Sequence, residues 1–510
     1  MKKNPGYAIF SAVLALTLAG LACSGGAAAP TKAAPSQTPA ATQPLAAPSA
    51  TPQSAAPTAT EKASPTVAAT LAATEAATAA ATAAATAAST QAALSGKLNI
   101  HGIASYLDSL KYYHLDGLIT NGTDKPVSNL QISLTLTDSK GKTVLKDNSG
   151  NPTSTVTFQP ILGEIGSGET TPFDYYLNTD GADISGWKAA VKLDSSDPVS
   201  DIQRVQLNVT HNLLTVGSDG DIDITGEIVN TSDKPAQINN FAAALLDGSG
   251  NVAGASSFQD VARLLAPAGD AAGQDRSPFV IHIAGPIQGT YTPSFYLDGV
   301  TGKPSDIDAA AAVHLKLETS YIDSFKNVHV VATVSNSGTE TMTVRVMAGL
   351  YADDGTVLDG SSTNAPIDLG PGLSAPVHLY YFSNLNGNTQ LIGKVISTSV
   401  QIDPYWTFPV TSPEVPLQAS KVTSTTDGSS LTIKGNVVNT SGLTLIDATV
   451  VVILRDADGK LVAADKAYTD NSGDIAPKST QTWSVTVDLP PDVDASKLKL
   501  ETIVQGAVKS

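Results

Sequence analysis

The chain has 510 residues, of which 5% are aromatic and 15% are charged, and this length accommodates three or four ordinary domains. Its formal net charge of −17 repels phosphate backbones and anionic lipid head groups, which excludes nucleic acid as an expected partner. Because Cys23 is the only cysteine, disulfides within the chain are excluded, and packed cores have to stabilise the domains.

Residues 1–22 have the pattern of a secretory signal peptide. Lys2 and Lys3 form a basic start, and the apolar run Ala8–Ala19 is too short to span a membrane. The run ends in Gly20-Leu-Ala-Cys-Ser-Gly-Gly26, which resembles the lipobox of bacterial lipoproteins. The resemblance implies that Cys23 is acylated and that membrane lipid holds the protein outside the cytoplasm, at the cell membrane or cell surface. An ordinary signal peptide with a coincidental cysteine is the alternative.

Residues 23–96 are expected to form a low-complexity, disordered stalk. The segment consists almost wholly of Ala, Thr, Pro, Ser and Gln, with too few large apolar residues to form a core. Threonine recurs every four residues from Thr66 to Thr90, mostly within alanine. Alanine favours a transient helix, but the absence of an apolar stripe argues against a coiled coil. We interpret the segment as a solvated spacer.

The sequence beyond residue 96 contains four copies of one unit. Gly117-Leu-Ile-Thr-Asn121 matches Gly226-Glu-Ile-Val-Asn230, Ala332-Thr-Val-Ser-Asn336 and Gly435-Asn-Val-Val-Asn439. An acidic turn that ends in glycine follows each asparagine at a nearly fixed distance, and a further turn then precedes an apolar strand. Such recurrence indicates a tandem-repeat architecture.

Strand patterns lie between these anchors. Residues 130–136 alternate apolar and polar side chains, which predicts a strand with one buried face. Val450–Leu454 is instead a continuous apolar run, and we interpret it as a strand that is buried on both faces. Units of about 100 residues with short strands and regular turns are typical of sandwiches of two antiparallel sheets.

The order of these signals resembles the FxLYD and related immunoglobulin-like domains of bacterial surface lipoproteins. The resemblance rests on the Gly-x-Val-x-Asn strand end, on the Asn-Thr-Ser turn and on the turn before Pro-Phe. The predicted fold class is therefore all-β, with tandem immunoglobulin-like antiparallel β-sandwiches after the signal peptide and the stalk. The predicted β-sandwiches span residues 97–203, 204–315, 316–417 and 418–510.

A longer repeat is superimposed on the four copies. Ser105-Tyr-Leu-Asp-Ser-Leu-Lys111 in the first unit matches Ser320-Tyr-Ile-Asp-Ser-Phe-Lys326 in the third. An Asp-Gly turn opens both the second unit and the fourth. We interpret this as the duplication of a two-domain block.

Motifs for catalysis or cofactor binding are missing from the sequence. The histidines lack metal-ligand spacing and are expected on strand faces, and no nucleophile elbow or phosphate loop is present. We therefore predict a non-enzymatic protein with no catalytic residues, no metal ligands and no cofactor. Asp219-Gly-Asp-Ile-Asp223 and Asp456-Ala-Asp-Gly459 are interpreted as hairpin turns, with calcium at domain junctions as the alternative.

The third unit holds the predicted binding patch, which is aromatic. It consists of Tyr380, Tyr381, Phe382, Tyr405, Trp406 and Phe408. Exposed rings stack on sugar faces or bind protein, whereas core packing is the alternative, since Tyr380 and Phe382 would share one face of a strand. The expected role is that of a spacer, adhesin or binding module for a surface protein or glycan. An accessory subunit of an envelope transport or secretion complex is the second hypothesis.

Overall fold

The computed structural model describes residues 97–509, except 148, 258, 259, 288, 386, 387, 412, 413, 471 and 472. The predicted signal peptide, Cys23 and the predicted stalk lie outside the described residues. The described residues form four groups of strands, which we call modules 1 to 4 in chain order.

Modules 1 and 2 consist of strands β1 to β14. Module 1 contains β1 (Leu98–Leu107), β2 (Tyr112–Asn121), β3 (Val127–Thr137), β4 (Val156–Phe158), β5 (Glu164–Ile165), β6 (Thr170–Asn178) and β7 (Lys188–Pro198). Module 2 contains β8 (Leu207–Val216), β9 (Ile222–Asn230), β10 (Ala236–Leu246), β11 (Val252–Ser257), β12 (Leu264–Leu265), β13 (Arg276–Ile283) and β14 (Thr292–Thr301). A short helix, α1 (Pro304–Ala310), leads into module 3.

Modules 3 and 4 consist of strands β15 to β28. Module 3 contains β15 (Val313–Ile322), β16 (Val328–Asn336), β17 (Met342–Thr343), β18 (Arg345–Tyr351), β19 (Val357–Asn364), β20 (Ser374–Leu379), α2 (Thr389–Ile392), β21 (Ser397–Ile402), a 3-10 turn (Pro404–Trp406) and β22 (Phe408–Pro409). Module 4 contains β23 (Val415–Thr426), β24 (Ser430–Val438), β25 (Leu445–Arg455), β26 (Leu461–Tyr468), β27 (Thr480–Asp488), a 3-10 turn (Ala495–Lys497) and β28 (Lys499–Val508).

Each module pairs two antiparallel sheets. The asparagine sheet is built round the strand that leads to the repeated asparagine, in the orders β1-β2-β6, β8-β9-β13, β15-β16-β20 and β23-β24-β27. The turn sheet is built round the strand that precedes the acidic turn, namely β3, β10, β18 or β25. In module 4, β23 also pairs with β28 and thereby joins the two sheets. The predicted all-β fold of tandem sandwiches is confirmed.

Two of the predicted domain boundaries fall inside strands. β15 begins at Val313 and β23 begins at Val415, whereas the boundaries were expected after residues 315 and 417. The first strand of module 3 runs the full length of its neighbour, because Val313 pairs with Asn336 at the far end of β16. The structure therefore moves these boundaries to before Val313 and before Val415.

The repeated asparagine connects the two sheets of its module. In module 4, Asn439 Nδ2 donates to the carbonyl groups of Leu443 (2.7 Å) and Ile475 (2.9 Å). Its Oδ1 accepts from the Ser441 backbone N–H (3.1 Å). Ile475 in turn bridges to Leu445 of the turn sheet. Asn121, Asn230 and Asn336 are buried and make the corresponding bonds in their own modules. The motif is structural, because it supplies buried backbone groups with partners.

The glycine of the repeat lies beneath an aromatic ring. Gly117, Gly226 and Gly435 pair across the sheet with Phe173, Phe279 and Trp483. A Cβ at Gly117 would stand 2.5 Å from the Phe173 ring. Module 3 instead pairs Ala332 with Val377. Where module 3 has alanine in place of glycine, the residue opposite is valine in place of an aromatic residue. The two cross-strand positions therefore share a single packed volume.

The modules stack on one another in the same way at each junction, because the asparagine sheet of one module packs against the turn sheet of the next. Leu118 of module 1 packs on Ala244 and Val252 of module 2. Met347 of module 3 belongs to the core of module 2, and Val451 of module 4 belongs to the core of module 3. The hydrophobic core of each module therefore continues across the junction into the next module.

The middle strands of the internal turn sheets are buried on both faces. In β25, Val450 and Val452 face the core of module 4, whereas Val451 and Ile453 face module 3. This confirms the prediction made for Val450–Leu454. β3, by contrast, faces no preceding module among the described residues, and its alternation leaves Thr135 exposed on the outer side.

Candidate functional site

The predicted aromatic patch is divided by the fold. Tyr380 and Tyr381 are 54% and 66% exposed, whereas Phe382 is fully buried in the core of module 3. The expectation that Tyr380 and Phe382 share a face is wrong, because β20 ends at Leu379 and strand alternation stops there. Core packing is thus correct for Phe382 alone among these three residues.

The remaining aromatic residues lie at the other end of module 3. Leu379 pairs with Val330 near the start of β16, whereas Phe408 pairs with Thr343, beyond the end of β16. Tyr405 and Trp406 pack edge to face at 5.3 Å, and both rings are about two-fifths exposed, as is Phe408. The six predicted residues therefore do not form one surface.

Tyr380 and Tyr381 line a cleft between modules 3 and 4. The cleft has a volume of about 280 Å³. One wall carries polar side chains of β19, and the opposite wall belongs to β25 and β26 of module 4. Residues that contribute polar or aromatic groups include Ser362, Asn364, His378, Tyr380, Tyr381 and Asp465. We call this cavity the tyrosine cleft.

A chain of buried polar groups leads from the core of the junction to this cleft. His329 Nε2 lies 3.2 Å from Asp323 Oδ2, and His329 Nδ1 lies 2.9 Å from His378 Nε2. His378 Nδ1 then faces Asp465 of module 4 at 3.6 Å. Burial, and then the charge of His378, lower the pKa of His329. The chain therefore favours an uncharged His329 at neutral pH.

The tyrosine cleft offers ring faces, hydroxyl groups and an imidazole–carboxylate pair in one concave surface. This combination suits a polar ligand with an apolar face, because rings supply contact area and the polar groups fix orientation. Sequence reasoning singled out the tyrosines but missed His378 and Asp465. A histidine follows both Tyr106 and Tyr321 after eight residues, at His114 and His329. This recurrence was a detectable signal for His329, which contacts His378.

A second and larger cavity lies between modules 2 and 3. Its volume is about 1050 Å³, and Asp219, Asp221, Asp223 and His282 contribute to its wall. His282 Nδ1 contacts Asp223 Oδ1 at 2.9 Å, and His282 Nε2 contacts Asp221 Oδ2 at 3.3 Å. The hydrogen bond to Asp223, opposed by burial, raises the pKa of His282. Asp221 and Asp223, for which calcium binding was the alternative interpretation, therefore contact His282.

The other acidic turn follows the hairpin interpretation. Asp456 Oδ1 accepts from the backbone N–H groups of Asp458 (3.0 Å) and Lys460 (2.9 Å). Gly459 has a φ of 84°, a left-handed conformation that glycine adopts readily. These carboxylate bonds serve the turn itself.

Two groups of histidine and aspartate side chains bring one possible ligand atom from each member within 4.8 Å of the others. One consists of His114, Asp116 and Asp174 between modules 1 and 2, and the other of Asp323, His329 and Asp488 between modules 3 and 4. Sequence reasoning predicted neither group, because each combines residues from distant parts of the chain. In both groups the two histidine nitrogens have contacts: His114 contacts Asp174 and Asp108, and His329 contacts His378 and Asp323.

Comparison with known proteins yields distant structural likeness alone. No family model matches the chain, and no curated protein matches it. A crystal structure of red sea bream transglutaminase matches at 13% identity and a TM-score of 0.13, over 39% of this chain and 32% of that one. Escherichia coli alpha-2-macroglobulin activated by porcine elastase matches at 10% identity and a TM-score of 0.13, over 81% of this chain and 53% of that one. The chain therefore spans about a third to about half of these proteins.

The described part of the chain contains no helix with the length and apolar character needed to cross a bilayer.

Proposed function

We propose that the protein is a lipid-anchored, non-enzymatic surface protein that displays a stiff stack of β-sandwich modules outside the cell membrane. Cys23, within its lipobox-like sequence, is the proposed attachment point, and the Ala/Thr/Pro-rich segment is the tether. The modules then serve as a spacer that carries binding surfaces away from the membrane.

The observation that carries the spacer role is the continuity of the core through the junctions. Interfaces between domains of one chain usually resemble transient interfaces and permit relative motion. Here Met347 and Val451 are buried in the core of the preceding module. Thr225 Oγ1 also donates to the Val357 carbonyl across the junction of modules 2 and 3, at 2.6 Å. Bending a junction would expose these groups, which favours a stiff stack.

Stiffness is tested by distance measurement between the terminal modules. In a Cys23→Ser chain, Thr135→Cys on the outer face of module 1 and Ser484→Cys on the outer face of module 4 accept spin labels. A single narrow distance distribution is expected from electron spin resonance. A broad or multimodal distribution would show that the junctions bend, and the spacer proposal would fail.

Anchoring is tested separately with the membrane fraction of cells that produce the full-length chain. The wild-type chain is expected in the membrane fraction and labelled by radioactive palmitate, whereas Cys23→Ser should be released and unlabelled. Ser24→Ala is the matched control and should remain anchored. Membrane retention of Cys23→Ser would contradict the proposed attachment.

Glycan binding in the tyrosine cleft is a second candidate function. Its support is the exposure of Tyr380 and Tyr381 beside hydroxyl and amide groups of β19. A glycan array with the full-length protein is expected to give signals that Tyr380→Ala/Tyr381→Ala abolishes and Tyr405→Ala/Trp406→Ala leaves unchanged. Loss of signal with the second pair alone would assign binding to the other end of module 3. Capture of an envelope protein in place of a glycan would favour the accessory-subunit hypothesis.

A further inference from the structure

A tyrosine, an aspartate and a histidine recur at the junctions of modules 1 and 3 with the modules that follow them. Tyr106, Asp108 and His114 correspond to Tyr321, Asp323 and His329, each 215 positions later. The tyrosine ring stacks on the imidazole at 4.8 Å in module 1 and at 4.7 Å in module 3. The aspartate Oδ2 faces the histidine Nε2 at 3.4 Å and at 3.2 Å, respectively. Both imidazoles are thus held in one orientation.

Module 1 adds two carboxylates to this arrangement. Asp116 lies two residues after His114 on β2 and pairs across the sheet with Asp174 of β6. His114 Nδ1 lies 3.1 Å from Asp174 Oδ1. One donor atom from each of His114, Asp116 and Asp174 lies within 4.8 Å of the others.

Asp116 has a carboxylate oxygen without a hydrogen-bond donor among the described residues. The residue is 0% exposed. Its Oδ2 accepts from the Ala255 backbone N–H of module 2 at 3.1 Å, whereas no N–H or O–H donor of the described residues reaches its buried Oδ1, and the carboxyl lies against that of Asp174. Buried carboxylate oxygens without partners are costly, and proteins normally supply them with a proton, a donor or a metal ion.

The carboxylates that surround Asp116 also favour a bound cation. Among the described residues, no lysine or arginine forms an ion pair with Asp108, Asp116 or Asp174. His114 is the group that faces two of these carboxylates, those of Asp108 and Asp174. The Asp116 carboxyl has no ion pair of its own among the described residues.

We propose that His114, Asp116 and Asp174 bind a divalent transition-metal ion of the Zn²⁺ type at the junction of modules 1 and 2. One imidazole nitrogen and two carboxylates are a ligand set that such ions prefer, whereas Ca²⁺ takes six to eight oxygen ligands. Donor atoms of a tetrahedral zinc site stand roughly 3.3 Å apart, given bonds of about 2.0 Å, and the His114–Asp174 pair already has this spacing.

The remaining contacts of His114 fit the same role. Its second nitrogen faces Asp108, and a carboxylate in that position is the usual partner of a metal-bound histidine. Asp174 is partly exposed, with 19% of its side chain accessible, and gives the ion a route from solvent. An open fourth position remains for water.

Module 3 provides an internal comparison. Val331 occupies the position of Asp116, and His378 stands opposite it where Asp174 stands in module 1. The tyrosine, aspartate and histidine remain, but the two additional carboxylates are absent. The fold therefore tolerates the junction without Asp116 and Asp174, which indicates that their role is not simply packing.

The test is zinc titration of the purified full-length protein, stripped of metal by a chelator and carrying a tag without histidine. Calorimetry is expected to show one Zn²⁺ site per chain, with Mg²⁺ and Ca²⁺ binding far more weakly. Asp116→Asn and Asp174→Asn should abolish it, and Asp108→Asn should weaken it about 10-fold to 100-fold. Asp323→Asn, the equivalent change in module 3, is the matched control and should leave the affinity unchanged.

A module-3-like variant keeps the test informative if single substitutions perturb folding. Asp116→Val introduces the residue that module 3 has at the equivalent position, Val331, so it should retain the wild-type circular dichroism spectrum and lose zinc. Substitution of Co²⁺ for Zn²⁺ should give a tetrahedral visible spectrum that the variant lacks. Absence of zinc binding to the wild-type chain, or binding that survives Asp116→Asn and Asp174→Asn, would overturn the proposal.

Discussion

Gly117→Ala tests whether the repeat motif arises from one packed volume shared by two strands. The added Cβ would stand 2.5 Å and 2.7 Å from two atoms of the Phe173 ring. That ring is fully buried and packs against Phe158 at 5.9 Å, so it has little room to move. Overpacking of this kind costs about 1–3 kcal/mol.

The double variant is the more informative experiment. Phe173→Val alone should cost about 2–3 kcal/mol, because it leaves a cavity in the core. In that background Gly117→Ala should be neutral or stabilising, because the methyl group fills part of the cavity and alanine loses less backbone entropy than glycine. The pair then resembles Ala332 and Val377 of module 3. The expected coupling energy is about 2 kcal/mol.

Hydrogen exchange in urea, measured by mass spectrometry on peptides of β2 and β6, gives the stability of module 1 in the full-length chain. Gly163→Ala is the control, since a Cβ there would meet no atom within 4 Å, and it should change stability by less than about 0.5 kcal/mol. If the effects of Gly117→Ala and Phe173→Val simply add, the shared-volume explanation is wrong.

Hydrogen exchange on peptides of modules 3 and 4 addresses three further changes. Asn439→Ala should destabilise module 4 by about 3 kcal/mol because it leaves buried carbonyl groups without a donor, whereas Asn436→Ala on the outer face of β24 should have little effect. Burial, and then repulsion by Asp368, raise the pKa of Glu414 from 4.5 to about 7, so the folded chain keeps this proton over a range in which the unfolded chain has released it. Stability is therefore lost as the pH rises from 4.5 to about 7. Glu414→Gln should restore about 1–2 kcal/mol of stability at pH 8, after allowance for solvent screening, and almost nothing at pH 4. Burial lowers the pKa of His329 below 6.5, so stability should fall as the pH decreases from about 6.5, and His329→Gln should flatten that dependence; an unchanged slope would refute the assignment.

The strand architecture was predictable because its signals are local. The repeated asparagines, the acidic turns and the apolar strands follow one another at fixed intervals along the chain, and each interval corresponds to a strand pair within one module. The uninterrupted apolar run Val450–Leu454 also indicated burial on both faces, which the stacking of module 4 on module 3 confirms. Patterns of this kind depend on neighbours within a few residues.

The candidate sites could not be predicted in the same way, because they are assembled across strands and modules. His378 and Asp465 meet only when module 3 packs on module 4, and Asp116 meets Asp174 only through the register of β2 and β6. The prediction for Tyr380 and Phe382 failed for a related reason, since it assumed that β20 continues beyond Leu379. The residue at which a strand ends depends on the conformation of the loop that follows it, and the alternation of apolar and polar residues does not predict that conformation.

The three junctions have a consequence for how long such a molecule becomes. Each joins two unlike faces, so an equivalent contact between separate chains would produce an open filament unless its rotation closes it into a ring. The outer faces of the first and last sheets carry Gln131, Ser133, Thr135, Thr482, Ser484 and Thr486. Polar outer faces of this kind are typical of the end repeats that cap a solenoid, and they disfavour the stacking of one chain on another.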